Sequence, residues 1–226
     1  MLYLDYAATT PLNPEVGEAY FHLLKTKFAN PDSIHGLGLE VEGLMERSRA
    51  LIASMLGVEA AEIIFTSGAS ESNNMAIKGV CFQYQSRGRH IITTTVEHSS
   101  VYETFKQLEN EFGFEVTYLP VDSQGRLDLD VLKQSIRKDT ILLSCMAVNN
   151  EVGFCLPLEK IKDILKDYPN CHFHVDMVQC LGKLPVHLDG IDLASFSAHK
   201  IYGLKGSGIL YKKTSCQIKP LICGGQ

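Results

Sequence analysis

The feature that most constrains the fold is the alternation of strand-like and helix-like segments from residue 61 onward. Short runs rich in apolar and β-branched residues are followed by longer runs with apolar side chains at helical spacing. Strands are predicted at 62–66, 89–94, 114–120, 140–148, 172–176 and from 191, and helices from Pro14, at 38–56, after residue 70, after residue 100, at 129–137 and at 158–165. This order is typical of an α/β domain with a mostly parallel sheet and helices on both faces.

Composition excludes several classes of function. The chain has 226 residues and a net charge of −5, and its densest basic cluster is Lys212-Lys213, which argues against nucleic acid as a direct partner. No apolar run approaches the roughly 20 residues of a membrane span, and the chain reaches Asp5 without a secretory signal pattern. Seven cysteines without a C-x-x-C pair indicate reduced thiols rather than disulfides, so we expect a cytoplasmic location. We expect each cysteine to be a buried small hydrophobic residue.

The stretch from Ile191 to Gly208 ends a predicted strand in Ser197-Ala198-His199-Lys200 and continues into a glycine-rich turn. Desolvation at such a position lowers the pKa of an amine, and a neutral amine can form a Schiff base. The simpler alternative is a surface lysine that ends a strand. The rest of the chain decides between these interpretations.

Polar side chains follow most of the predicted strands. Ligands of such sheets bind outside the carboxyl ends of the strands. The residues found there are Ser70, His98, Asn150, Asp176, Gln179, Ser197, His199 and Lys200. Each has a structural alternative, such as a helix cap for Ser70 or His98, but unrelated caps would not be expected to cluster in this way. The clustering favours Lys200 as a lysine placed for chemistry.

A metal site is also conceivable on the strand 172–176, because His172, His174 and Asp176 share one face of it. Successive residues on one strand cannot all reach a single ion, and metal sites need converging ligands. We therefore expect no metal.

The candidate residues match the requirements of an aldehyde cofactor held by Lys200 as an imine. Asp176 can pair with a protonated ring nitrogen, which is the arrangement used for pyridoxal 5'-phosphate (PLP). The turn at Ala69-Ser70 precedes a helix whose free N–H groups suit a phosphate, with Ser197 and His199 as further donors. His98 can stack on the ring and shuttle a proton, and Asn150 and Gln179 can hydrogen-bond the ring hydroxyl.

The sequence resembles the class V aminotransferase family and, within it, the NifS/IscS-type cysteine desulfurases. The matching stretches are Y-L-D-Y-A-A-T-T-P (3–11), N-P-D-S-I-H (30–35), S-G-A-S-E-S-N-N-M-A-I-K-G (67–79), E-H (97–98), V-N-N-E-V-G (148–153), F-H-V-D-M-V-Q (173–179) and S-F-S-A-H-K-I-Y-G-L-K-G (195–206). They span essentially the whole chain, and together they are highly specific.

The resemblance implies a PLP-dependent transferase of fold type I. It implies PLP on Lys200, Asp176 at the pyridine nitrogen, His98 over the ring, Gln179 and Asn150 near the ring oxygen, and the phosphate at Ser70, Ser197 and His199. The implied reaction takes sulfur from L-cysteine, leaving alanine and an enzyme persulfide that feeds iron–sulfur cluster assembly or tRNA thiolation through a sulfur-acceptor protein or scaffold. Members of the family are homodimers.

The resemblance also sets expectations about what residues 1–226 lack. In the family, a glycine-rich segment like 221–226 leads to a substrate-binding arginine and then to a small domain that carries the sulfur-accepting cysteine. We therefore expect 1–226 to be the PLP-binding large domain without the small domain. Met177 also departs from the family, which favours a small residue there. Two alternatives stay open: a selenocysteine lyase or other class V enzyme, and a catalytically silent fragment.

Overall fold

The computed structural model describes residues 2–224 and contains a seven-stranded sheet with helices on both faces. The strands are β1 (Ile63–Thr66), β2 (His90–Thr94), β3 (Glu115–Leu119), β4 (Thr140–Met146), β5 (His172–Asp176), β6 (Leu193–Ser197) and β7 (Gly208–Lys212). The helices are α1 (Pro14–Thr26), α2 (Gly36–Leu56), α3 (Ala69–Tyr84), α4 (Ser99–Phe112), α5 (Leu129–Ser135) and α6 (Leu158–Leu165), with short 3₁₀ turns at Ala60–Glu62 and Ala198–Lys200.

The strand order is β1-β7-β6-β5-β4-β2-β3. The pairs from β6 through β5, β4 and β2 to β3 are parallel, whereas β7 runs opposite to both β6 and β1. The mostly parallel α/β architecture expected from the sequence is therefore confirmed. β7 is the element that the alternation pattern did not predict, because it returns from β6 through the glycine-rich turn without a helix.

Two apolar cores lie on opposite faces of the sheet. One joins the sheet to α2, α5 and α6, and the other joins it to α3 and α4. The central strands β2, β4 and β6 are buried along their whole length, as expected for strands covered on both sides. Helices on both faces leave the strand ends as the open edge of the sheet, and the site lies there.

Local signals explain most helix boundaries. Asn13 caps α1 by accepting a hydrogen bond from the Glu15 N–H at 2.8 Å, and a proline follows as the first helical residue. Gly57, with φ of 69°, ends α2 in the left-handed conformation that glycine adopts without strain. α2 begins at Gly36 rather than at residue 38, because the His35 side chain caps it through the Gly38 N–H at 3.2 Å.

The histidines on β5 are explained by their neighbours. The buried His174 ring bridges two serines, with Nδ1 2.7 Å from the Ser144 Oγ and Nε2 3.0 Å from the Ser195 Oγ. Burial lowers the pKa of His174 to about 3, so the ring is neutral. His172 stacks on Tyr84 at a centroid distance of 4.3 Å. Across residues 2–224 no group of three or more His, Cys, Asp or Glu side chains is arranged to hold a metal ion.

The expectation that the cysteines are buried holds for most of them but is wrong for two. Cys155 and Cys223 are exposed, whereas the other five thiols are buried. Cys155 follows the turn that closes the loop after β4, where the chain has left the sheet. Within the described part of the chain, no helix has both the length and the apolar character needed to cross a membrane.

Candidate active site

A cavity of about 960 Å³ lies at the carboxyl ends of the parallel strands. All of the residues predicted from the sequence line it, namely Ala69, Ser70, His98, Asn150, Asp176, Gln179, Ser197, His199 and Lys200. Its volume is that of a small-molecule site. These residues come from the ends of five different strands and the segments that follow them, so the fold alone brings them together.

Lys200 closes the 3₁₀ turn after β6 and is half-buried. Its Nζ donates to the Ala7 carbonyl at 2.6 Å and to the Ala8 carbonyl at 2.8 Å. Burial, followed by the charge of Lys183, lowers the pKa of Lys200, while Asp176 and Asp5 act in the opposite direction. A lowered pKa increases the share of the neutral amine, which is the form that attacks a carbonyl carbon.

Asp176 is the last residue of β5 and is only 7% exposed. Its Oδ2 accepts from the Asn73 Nδ2 at 2.9 Å, and its Oδ1 accepts from the Val178 N–H at 3.0 Å. Burial raises its pKa, although these two hydrogen bonds and the charges of His98 and Lys200 oppose the rise. A cationic N–H in the cavity would compensate the buried carboxylate, so the site fits a protonated ring nitrogen.

His98 is the N-cap of α4. Its Nδ1 lies 3.2 Å from the Ser100 N–H, which donates to it, and 2.9 Å from the Ser100 Oγ. The capping interpretation of His98 is therefore correct for one ring nitrogen. The exposed ring also lines the cavity, so capping and a role in the site are compatible.

The start of α3 fits an anionic group. Gly68 precedes the helix with φ of 149°, and within residues 2–224 no side chain caps the first-turn N–H groups. Uncapped N–H groups together with the helix dipole attract a phosphate. A Cβ on Gly208 would lie 2.6 Å from the Gly68 Cα, so glycine at 208 is needed for this turn to pack against β7.

The N-terminal turn between Asp5 and Thr10 closes one side of the cavity. Its Ala7 carbonyl accepts from the Gln179 Nε2 at 3.0 Å as well as from Lys200. The Thr9 hydroxyl lies 3.0 Å from the His199 Nδ1, and the Thr10 N–H donates to the His199 carbonyl at 2.9 Å. Reading the sequence predicted an ordered turn here but did not place it in the site.

The loop after β4 is organised by Asn149, the neighbour of the predicted site residue Asn150. The Asn149 side chain accepts from the N–H groups of Glu151 and Val152 and donates to the Val96 carbonyl. Asn150 is thereby left lining the cavity. The structure thus separates a residue that shapes the loop from one that faces the site.

Glu97 has a buried carboxyl beside the site. Its Oε1 accepts from the Thr94 hydroxyl at 2.6 Å and from the Met146 N–H at 3.1 Å. Its Oε2 is buried without a partner among the described residues. Burial raises the pKa of Glu97 to about 8, and the negative charge of Asp176 adds to the rise. Glu97 is therefore a neutral acid that links the loop carrying His98 to the end of β4.

Two residues that contact the site were missed by reading the sequence. Asn73 binds Asp176, and Ser100 binds His98. Asn73 could have been found, because it is a polar residue on the otherwise apolar stripe of α3 formed with Ala76, Ile77 and Val80. For Ser100 the available signal was only its position in the first turn of a helix.

Comparison with known proteins gives consistent matches along the whole chain. The family model described as Aminotransferase class-V matches residues 2–226. A protein named Cysteine desulfurase IscS from Dictyoglomus turgidum is 53% identical, over 99% of this chain and 57% of its own length. A NifS/IcsS protein homolog from Lactobacillus delbrueckii subsp. bulgaricus is 50% identical, over 100% of this chain and 59% of its own length.

Solved structures agree with this match. A NifS-like protein superposes with a TM-score of 0.96 at 44% identity, over 99% of this chain and 62% of that one. A structure titled "SspA in complex with cysteine" gives a TM-score of 0.94 at 38% identity, over 100% of this chain and 65% of that one. The chain spans less than two thirds of the length of each of these relatives.

Proposed function

We propose, on the premise that this chain belongs to the class V aminotransferase family, that it is the PLP-binding part of a cysteine desulfurase. The observation that supports this best is the gathering of Lys200, Asp176, His98 and the uncapped start of α3 around one cavity. These groups suit respectively a carbonyl carbon, a ring nitrogen, a ring face and a phosphate. The identity of 53% to a protein named Cysteine desulfurase IscS supports the choice within the family.

The residues present fit PLP. When bound, PLP supplies an electron-withdrawing ring that stabilises negative charge developing next to its aldehyde carbon. Lys200 would hold the aldehyde, and Asp176 would hold the ring nitrogen. The α3 start with Ser70, Ser197 and His199 would bind the phosphate. Asn150 and Gln179 would lie near the ring hydroxyl.

The side chains have separable tasks in this proposal. Asp176 accepts two N–H hydrogen bonds that oppose the rise of its pKa by burial, and as a carboxylate it would hold a proton on the ring nitrogen and so preserve the electron-withdrawing character of the ring. Lys200 is the group suited to moving protons near the substrate Cα, because burial lowers the pKa of its amine. Glu97 fixes the loop that carries His98.

The substrate we propose is L-cysteine, with alanine and an enzyme-bound persulfide as products. One structural neighbour is titled as a complex with cysteine, which supports this substrate class. The sulfur acceptor would be a protein or scaffold of iron–sulfur cluster assembly or tRNA thiolation. We also propose a cytoplasmic location, consistent with cysteines that are all free among the described residues.

We further propose a homodimer. α1 buries none of its residues, and it leaves large apolar side chains exposed, including Phe21 at 65% exposure. Several large apolar side chains exposed on one helix are typical of an interface. Sedimentation of the full-length protein at two concentrations tests this, and a concentration-independent monomer would refute it.

Cofactor binding is the first experiment. Added PLP should give the red-shifted absorbance of a lysine-linked cofactor, and Lys200→Ala should abolish it. Lys160→Ala, an exposed lysine on α6, is the matched control and should keep the band. A folded protein that shows no band, or a Lys200→Ala variant that keeps it, would refute the site.

The activity test uses the full-length protein. Alanine and sulfide should form from L-cysteine with a reductant present, and they should not form in Lys200→Ala. Parallel reactions with L-selenocysteine and with an amino-group acceptor test whether the protein is instead a selenocysteine lyase or a transaminase. The same assay on residues 1–226 tests the silent-fragment alternative, which predicts cofactor binding without turnover.

A further inference from the structure

A continuous chain of hydrogen bonds links Asp176 to His98 through two residues that have no assigned role. The Asn73 Nδ2 lies 2.9 Å from the Asp176 Oδ2 and 2.9 Å from the Ser100 Oγ. The Ser100 Oγ in turn lies 2.9 Å from the His98 Nδ1. The members come from β5, α3 and the start of α4, so this is a tertiary arrangement rather than a local turn.

When Asp176 is ionised, as pairing with a cationic ring nitrogen requires, it sets the direction of every bond in this chain. A carboxylate oxygen only accepts, so the Asn73 amide must turn an N–H toward it. The second N–H of the same nitrogen then donates to the Ser100 oxygen. The Asn73 Oδ1 is buried without a partner among the described residues, so this orientation leaves an acceptor unpaired, a cost that the two N–H bonds offset.

Ser100 determines which hydrogen bond the His98 Nδ1 can make. Because its oxygen accepts from Asn73, its hydroxyl hydrogen is free to donate to the His98 Nδ1. The Ser100 backbone N–H also donates to that nitrogen, at 3.2 Å. Two donors on Nδ1 require a lone pair there, so the hydrogen of the neutral imidazole sits on Nε2.

We propose that Asn73 and Ser100 are positioning residues that fix neutral His98 as the Nε2–H tautomer, so that His98 offers the cavity a hydrogen-bond donor rather than a base. The catalytic meaning of this tautomer rests on the proposed function. The sequence predicted proton transfer by His98, whereas a donor role for His98 leaves that transfer to Lys200. A neutral imidazole held as a donor by its surroundings is a known way of polarising a substrate oxygen or sulfur.

The tautomer can be measured directly. Long-range ¹H–¹⁵N spectra of protein labelled at the histidine ring nitrogens distinguish Nε2–H from Nδ1–H, and His98→Gln identifies the His98 signals. The unsubstituted chain should show Nε2–H at His98, both with and without added PLP. A dominant Nδ1–H form would overturn the proposal without any further variant.

The chain of hydrogen bonds from Asp176 through Asn73 and Ser100 to His98, which we call the relay, is tested by removing one hydroxyl. Ser100→Ala deletes one of the two donors to Nδ1 and should lower the Nε2–H to Nδ1–H ratio by roughly 2- to 12-fold, the usual effect of one neutral hydrogen bond. Ser100→Thr, which restores a hydroxyl, should restore the ratio. Ser99→Ala makes the same change at the neighbouring exposed residue and should leave it unchanged. Equal ratios in Ser100→Ala and Ser99→Ala would overturn the relay.

Asn73 and the donor role have their own tests. Asn73→Ala should shift the tautomer ratio in the same direction as Ser100→Ala, and an unchanged ratio would remove Asn73 from the relay. In the full-length protein, His98→Gln keeps an N–H donor and should retain roughly 2- to 12-fold more kcat than His98→Ala, equivalent to one hydrogen bond to the transition state. Equal losses would overturn the donor role. If the unsubstituted enzyme releases no sulfur, the proposed function fails while the tautomer spectra still decide the relay.

Discussion

Replacing Glu97 by glutamine should change how the stability of the protein depends on pH. The carboxyl accepts two hydrogen bonds at Oε1, and Oε2 is buried with no partner in the part of the chain that the structure describes. Glutamine can keep both bonds through its own oxygen and cannot ionise. The titratable groups that face the carboxyl are Asp176 on β5 and Cys145 on β4, and they are the same in both proteins.

The sign follows from the raised pKa. Glu97 has a pKa of about 8 in the folded protein and an ordinary value of 4.5. Between these values the folded state binds the extra proton, so stability is lost as the pH rises through this window and levels off above it. At about 1.4 kcal/mol per pH unit, the loss between pH 5 and pH 8 is on the order of 3 kcal/mol.

The assay is urea unfolding of both proteins at pH 5, 6, 7 and 8, followed by circular dichroism. The two free energies of unfolding should be similar at pH 5, and Glu97→Gln should become the more stable protein by about 3 kcal/mol at pH 8. Glu18→Gln, on the exposed side of α1, controls for the loss of one carboxylate. A pH-independent difference, or one that grows in favour of glutamate, would show that Glu97 is ionised in the folded protein and refute the argument.

Three further predictions concern the cofactor and the packing around it. Asp176→Asn should weaken PLP binding by about 10- to 100-fold in an absorbance titration, because a charge-assisted hydrogen bond is lost; unchanged affinity would separate Asp176 from the ring. Gly208→Ala should lower stability by about 1–3 kcal/mol through overpacking, whereas Gly36→Ala, with no neighbour within 4 Å of the added Cβ, should not; thermal unfolding compares the two. Borohydride reduction with PLP should label Lys200 before Lys160, because the pKa of Lys200 is lowered; peptide mapping that finds equal labelling would contradict this.

Much of the fold could be predicted because local signals and tertiary structure agree. Strand β5 and helix α6 match their predicted bounds, and the resemblance to the class V aminotransferase family is confirmed. β4 ends two residues earlier than predicted. The Ala147 N–H still donates to the Asp176 carbonyl at the end of β5, but the Asn149 N–H already donates to the Phe154 carbonyl in the loop. Apolar character continues beyond the strand there, so periodicity alone could not find its end.

The site residues could be predicted as a set because parallel strands bring their carboxyl ends to one edge. The contacts among them could not. Asn73 reaches Asp176 across 103 positions of sequence and Ser100 across 27. Such contacts depend on which face of α3 packs over β5, and a serine or asparagine near a helix start has many local partners that would leave the same pattern in the sequence.

The N-terminal turn is a second long-range contact that the sequence did not predict, and it affects the amine of Lys200. Lys200 is separated by 193 residues from Ala7, yet the Ala7 carbonyl accepts hydrogen bonds from both Lys200 and Gln179. Carbonyl acceptors stabilise an ammonium group, whereas burial and Lys183 lower the pKa of Lys200 and favour the neutral amine. Forming a bond to an aldehyde removes hydrogens that the carbonyls of Ala7 and Ala8 now accept, so attachment of the cofactor should free the turn from the lysine. The N-terminal turn is therefore coupled to the bonding state of Lys200, while its contacts with Gln179 and His199 remain.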